Sequence, residues 1–247
     1  MIKVSSVCLS FRHETGIQPV LKDISLQIDP PDSCAIIGPS GCGKTSLLFL
    51  LSGLLKPDSG TIELPGNPSC GTILQNYGLF PWKSVSENIG LGLVLKKTDK
   101  GEISRRVKQL LEEMDLSGFG DHFPGELSGG MQQRVALART LAIDPEILFM
   151  DEPLSSLDAL TRERLQNLIL DIGKTRRITT VLVTHSIEEA VFLGRKIIIL
   201  SRRPGRILQI VDNPGATNIE YRQSDHFFKQ CIHLRELLQG EVNGTET

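Results

Sequence analysis

The chain has 247 residues, 40% hydrophobic and 23% charged, with a formal net charge of −2. That balance suits one large globular domain with room for an inserted lobe, and it offers no broad basic footprint for a nucleic-acid backbone, so no nucleic-acid partner is expected. The longest apolar run, residues 47–51 extended through Gly53 to Leu55, falls well short of the ~20 residues a membrane-spanning helix needs.

Met1-Ile2-Lys3-Val4 lacks the basic and apolar regions of a secretory signal, so the chain is expected in the cytoplasm. Cysteines at positions 8, 34, 42, 70 and 231 form no C-x-x-C pair, and their odd number argues for reduced thiols.

In chain order, residues 2–11, 24–28 and 60–64 read as short antiparallel strands forming a β layer. Residues 33–37 read as a buried strand, followed by glycine-rich punctuation and an apolar-periodic helix over 45–55. Between about 80 and 142 strand signals vanish. A capping box at Ser84 and Glu87 and the amphipathic stretch 103–114 predict a helical insert there. Strands follow at 146–150, 179–183 and 196–200, apolar nearly throughout, as parallel strands covered on both faces should be. Helices are expected between them at 159–176 and 186–193, and a last one at 224–238 with Phe227, Phe228, Cys231, Leu234 and Leu238 as its apolar stripe. The expected organisation is a single α/β domain over 1–240, with a parallel sheet, an antiparallel β subdomain, a helical insert and a disordered tail at 241–247.

Gly38-Pro39-Ser40-Gly41-Cys42-Gly43-Lys44-Thr45 fits the phosphate-loop pattern G-x-x-x-x-G-K-[ST] between a strand and a helix. Glycines let consecutive N–H groups turn inward on phosphate oxygens, and the helix beginning at Lys44, Thr45 and Ser46 adds its positive end. Lys44 is suited to the β- and γ-phosphates of ATP, and Thr45 offers a hydroxyl to Mg²⁺. Cys42 falls inside this cup, so alkylation of its thiol is expected to be blocked by bound ATP.

Asp151 and Glu152 end an apolar strand, where two carboxylates need compensation that Mg²⁺ would supply. Asp151 is expected in the metal shell, and Glu152 at the attacking water. His185 follows a parallel strand whose end opens on the same crevice, which suits a γ-phosphate sensor. Ser186 and Glu189 stand in capping-box relation after it.

Leu127-Ser128-Gly129-Gly130-Met131-Gln132-Gln133-Arg134, between the loop and the acid pair, resembles the signature of ATP-binding cassette proteins, with Met131 where Gln is commonest. With Gln75, Ser155-Ser156-Leu157-Asp158 and His185 it completes that family's ordered set over about residues 1–206. The resemblance implies a P-loop NTPase fold and a head-to-tail dimer, homodimeric or with a similar cassette. Each ATP would lie between one subunit's phosphate loop and Ser128, Gly129 and Gly130 of the other. It also implies that Gln75 touches Mg²⁺ or the attacking water, that Asp158 crosses the interface, and that Phe11 stacks on adenine.

A finer resemblance, in Gln75-Asn76-Tyr77-Gly78-Leu79-Phe80-Pro81-Trp82 and Ser201-Arg202-Arg203-Pro204-Gly205-Arg206-Ile207, is to importers of nitrate, sulfonate and taurine type; Ser155-Ser156 departs from that group's pattern. Such a subunit hydrolyses ATP on the cytoplasmic face of the membrane, docked on two permease subunits and served by an external solute-binding protein. The alternative is a soluble cassette ATPase acting on nucleic acid or ribosomes.

Overall fold

The structure is a computed structural model that describes all residues except 14, 15, 31, 65, 156, 217 and 244–247. Ser156, where the importer pattern departs, lies outside the described residues, as does the end of the expected tail.

The larger sheet is built from β3 (Ser33–Ile37), β5 (Cys70–Ile73), β6 (Ile147–Asp151), β7 (Thr179–Val183), β8 (Lys196–Leu200) and β9 (Ile207–Asp212), in the order β5-β6-β7-β3-β8-β9. All neighbours are parallel except β8 and β9. Side chains alternate between its faces. Cys34, Ile36, Phe149, Val181, Val183 and Ile198 pack on one side, while Ala35, Ile37, Leu148, Met150, Leu182 and Ile197 pack on the other. Both sides are covered, which explains why β3, β6, β7 and β8 are apolar nearly throughout.

One face carries α1 (Lys44–Leu51) and a three-stranded antiparallel sheet of β1 (Ile2–His13), β2 (Gly16–Ile28) and β4 (Ser59–Glu63). The other carries α2 (Val85–Leu95), α3 (Lys100–Glu113), α4 (Gly129–Leu141), α5 (Ala159–Thr175), α6 (Ile187–Leu193) and α7 (Asp225–Asn243). Among the described residues, no helix is long and apolar enough to cross a membrane. The five cysteines are free thiols.

Several boundaries differ from the sequence reading. Helix α1 stops at Leu51 rather than 55, because Ser52 caps it and Gly53 turns left-handed at φ 75°. Strand β2 begins eight residues earlier than expected, at Gly16 rather than 24. Strands β5 and β9 were not anticipated. Helix α7 runs on through Asn243, into the stretch expected to be a tail. The capping box of α2 forms as read: Ser84 Oγ accepts from the Glu87 amide at 3.2 Å, and Glu87 accepts from the Ser84 amide at 2.8 Å.

Candidate functional site

The strand-to-helix turn after β3 needs its glycines. Gly38, Gly41 and Gly43 have φ of 159°, 72° and 106°, and a Cβ on Gly43 would come within 2.9 Å of Leu21. Helix α1 starts with no side-chain cap and no acidic residue in its first turn, so its first amides are left for an anion. Lys44 is buried, and its Nζ donates to the carbonyls of Gly38 and Pro39 at 2.9 Å each, bridging the loop's two ends. Ser46 is half-buried in the first turn.

The expected reactive thiol is corrected by the structure. Cys42 is only 1% exposed, and a Cβ on Gly38 would sit 2.9 Å from its Sγ. Burial pushes the thiol pKa up. The Cys42 side chain therefore belongs to the core, and its amide closes the loop onto the Pro39 carbonyl at 3.3 Å.

The turn at Arg203 to Gly205 buttresses the loop from below. Arg203 Nε donates to the Gly41 carbonyl at 3.0 Å, and Gly205 is pinned to β2 through Val20 and Lys22. A Cβ on Gly205 would lie 2.3 Å from the Cys42 carbonyl oxygen. Gly205→Ala is therefore expected to push the loop out of shape and destabilise the fold by about 1–3 kcal/mol. Thermal denaturation and nucleotide titration check this, since melting point and affinity should fall together.

Strands β6 and β7 lie side by side with Asp151 opposite Val183, which brings the acid pair and His185 to one sheet edge. The Thr45 hydroxyl donates to Asp151 Oδ1 at 2.9 Å. Burial raises the Asp151 pKa, with the Thr45 hydrogen bond and Lys44 opposing. Glu152 sits in the left-handed region at φ 45°, its amide donating to the Val183 carbonyl at 2.9 Å. A non-glycine residue held there stores roughly 1–3 kcal/mol of backbone strain. Gln75 Nε2 donates to Glu152 Oε2 at 3.3 Å, and His185 Nδ1 lies 3.2 Å from the same oxygen. Thus Gln75, Glu152 and His185 converge on one carboxylate oxygen, beside Thr45 and Asp151.

The other expected residues stand apart from this cluster. Ser128 caps α4, its Oγ accepting from the Met131 amide at 3.4 Å, which leaves the Gly129 and Gly130 amides at the helix tip. A Cβ on Gly130 would lie 2.6 Å from Thr161, so the signature packs closely against the start of α5. Asp158 caps α5, and hydrogen bonds from Thr161 hold its carboxyl below the usual range. Phe11 is 38% exposed, opposite Gln18 on the hairpin that leans on Gly43.

Three supports escaped the sequence reading. Asn88, fully buried, exchanges hydrogen bonds with the Phe80 backbone and donates to Lys83 and Ser84. Arg139 of α4 donates to the Tyr77 and Gly78 carbonyls at 2.7 Å each. Behind His185, Glu189 is buried and bonded to the Thr184 hydroxyl, with its Oε1 unpartnered. Only half of the expected Ser186–Glu189 capping box forms. Ser186 Oγ accepts from the Glu189 amide, but the Ser186 amide turns to Thr184 because the Glu189 side chain is engaged there.

Burial raises the Glu189 pKa from 4.5 to about 7. An acid whose pKa rises on folding stabilises the fold below about pH 4.5 and loses that contribution as pH climbs towards 7, at a cost of roughly 3 kcal/mol or less. Glu189→Gln should therefore raise the melting point at pH 8 and leave it unraised at pH 4. Melting curves at the two pH values check this.

A family model described as ABC transporter matches residues 21–155, more than half of the chain. The chain belongs to the ABC transporter family. This cassette is similar to a taurine import ATP-binding protein of Pelagibacter ubique, 45% identical over 80% of this chain and 77% of that one. It is also similar to an aliphatic sulfonates import ATP-binding protein of Bacillus cereus, 42% identical over 98% and 97%. Among solved structures, an ATP-binding cassette dimer in a post-hydrolysis state with ADP and Pi superposes with a TM-score of 0.78 at 30% identity, over 86% of this chain and 98% of that one. The family and this neighbour make the chain an ATP-binding cassette with the α/β fold read from its sequence.

Proposed function

We propose that this cassette is the ATP-hydrolysing subunit of an importer for nitrate, a sulfonate, taurine or a similar small solute. The observation that carries the reading is the meeting of Gln75 and His185 on Glu152 Oε2, next to the hydroxyl and carboxylate of Thr45 and Asp151. The names of the similar proteins support the substrate class.

The phosphate loop takes the triphosphate tail, with Lys44 leaving the Gly38 and Pro39 carbonyls for the terminal phosphates. Thr45 and Asp151 suit Mg²⁺ as hard oxygen donors 2.9 Å apart. Among the described residues no cluster of three or more His, Cys, Asp or Glu could hold a metal by itself, which fits an ion that takes most of its ligands from phosphate and water. When bound, Mg²⁺ would neutralise charge on the phosphates. Glu152 then accepts a proton from the attacking water, Gln75 orients that water, and His185 steadies the carboxylate and meets the γ-phosphate. Phe11 stacks on adenine.

Gly129 and Gly130 face Leu157 and Thr161, and with Ser128 they close the site of a second cassette, with Asp158 at the seam. The dimeric neighbour supports this arrangement. The dimer sits on the cytoplasmic face of the membrane against two permease subunits, with an external binding protein delivering the solute.

Trp82, 70% exposed and packed edge-on against Phe80, is the natural contact for the permease. Trp82→Ala should weaken co-purification with the membrane subunits by about tenfold or more, as loss of a buried aromatic anchor does. ATP affinity should stay unchanged. Pull-down from solubilised membranes tests the whole assignment, and recovery of the chain only with ribosomes or nucleic acid would replace it.

A further inference from the structure

At the N-terminal edge of the large sheet, opposite the nucleotide crevice, lies a cavity of about 520 Å³. Its floor is the start of β3 and β7, at Ser33 and Thr180. The last turns of α5 supply one wall through Ile169, Leu170, Gly173 and the following Ile178, and Leu193 and Ala216 face it. Ligand sites have this size and this mainly apolar lining.

The segments that carry Leu193, Arg195 and Ala216 are tied together by hydrogen bonds through Asn213. Buried Asn213 donates to the carbonyls of Val191 and Gly194 at 2.7 and 2.8 Å, its amide donates to the Arg195 carbonyl at 2.7 Å, and Tyr221 donates to its side chain. Such a wall needs little ordering when a ligand arrives.

The charge at the rim is one-sided. Lys174, Arg177 and Arg195 reach it from two unconnected segments, against the single carboxylate of Asp32. Asp32 lies 3.6 Å from Arg195 and is already shared with the Ser33 amide. Lys174 and Arg177 have no acidic partner among the described residues. Cations near a helix C-terminus complement its dipole, which accounts for the α5 pair, and Asp32 faces Arg195, but neither accounts for the apolar hollow between them.

We propose that this cavity binds a small organic anion with an apolar body, a carboxylate or sulfonate on a short alkyl chain. The head group meets Lys174, Arg177 and Arg195, and the chain lies against Ile169, Leu170 and Ile178. Because the cavity opens at the opposite strand ends from the phosphate loop, occupancy does not compete with nucleotide.

The test is calorimetric titration of the full chain, saturated with Mg-ADP so that the phosphate loop is filled, with 1-hexanesulfonate and with hexanoate. Saturable binding of one or both supports the site and tells the two head groups apart. Inorganic sulfate should bind at least about tenfold more weakly, since each buried methylene is worth roughly fourfold in affinity. Gly173→Leu should fill the hollow and abolish binding. Gly173→Ala, whose Cβ would find ordinary contacts at 3.6 Å, should bind within about twofold of the parent. Arg177→Glu, on an exposed residue, should fold normally and weaken binding at least about fivefold. Absence of saturable heat with both probes, sulfate binding as tight as hexanesulfonate, or undiminished binding in Gly173→Leu and Arg177→Glu would each overturn the proposal.

Discussion

Glu152→Gln is expected to bind ATP as the parent does, to lose turnover by roughly 10²–10⁴-fold, and to accumulate as an ATP-held dimer. Gln is isosteric and can keep the contacts that Gln75 and His185 make to the Glu152 side chain. It also tolerates the same strained backbone, anchored by the Val183 carbonyl. What it loses is the capacity to accept a proton. Binding and catalysis should therefore separate cleanly in this variant, with nucleotide affinity read by calorimetry, phosphate release by a coupled assay and assembly state by light scattering. Normal hydrolysis would remove Glu152 from the proton-accepting role, and a monomer with saturating ATP would remove the shared site.

Lys44→Ala is expected to weaken nucleotide binding about 10- to 100-fold, the worth of hydrogen bonds to a charged group at a buried position. The same change deprives the Gly38 and Pro39 carbonyls of their donor, so the empty loop should loosen too. Calorimetry with ATP and thermal melting without it resolve the two effects. Unchanged affinity would mean that the ammonium stays with the loop carbonyls when ATP binds.

The parts legible in the sequence are those where neighbouring residues share one physical demand. Strands β3, β7 and β8 are buried on both faces, so their apolar runs marked them within a residue or two. The phosphate loop and the acid pair are contiguous, so each could be picked out as a unit from the sequence.

Strand β5 was missed because it has four residues and a glycine at its centre; Gly71 is needed there, since a Cβ would meet Thr140 at 2.2 Å. Strand β9 is an antiparallel edge whose outer face carries exposed Leu208 and Ile210, which hides the alternation. The first half of β2 contains Pro19, and Asp23 is left-handed at φ 53°, irregularities that break the period-two pattern. The supports Asn88, Arg139 and Arg203 act on backbone carbonyls, which carry no sequence signal, and the two arginines do so across 61 and 162 positions. Cys42 was misread because a motif fixes the path of a loop but not which way each side chain turns.

The grip of Arg139 on the Tyr77 and Gly78 carbonyls joins the connector leaving β5 to the helix that opens with Ser128. Those two pieces must travel together, and Gln75 lies in the same connector, two residues before Tyr77. Any displacement of α4 would therefore reach the amide that meets Glu152 at 3.3 Å, so this contact registers the position of the helix that Ser128 caps.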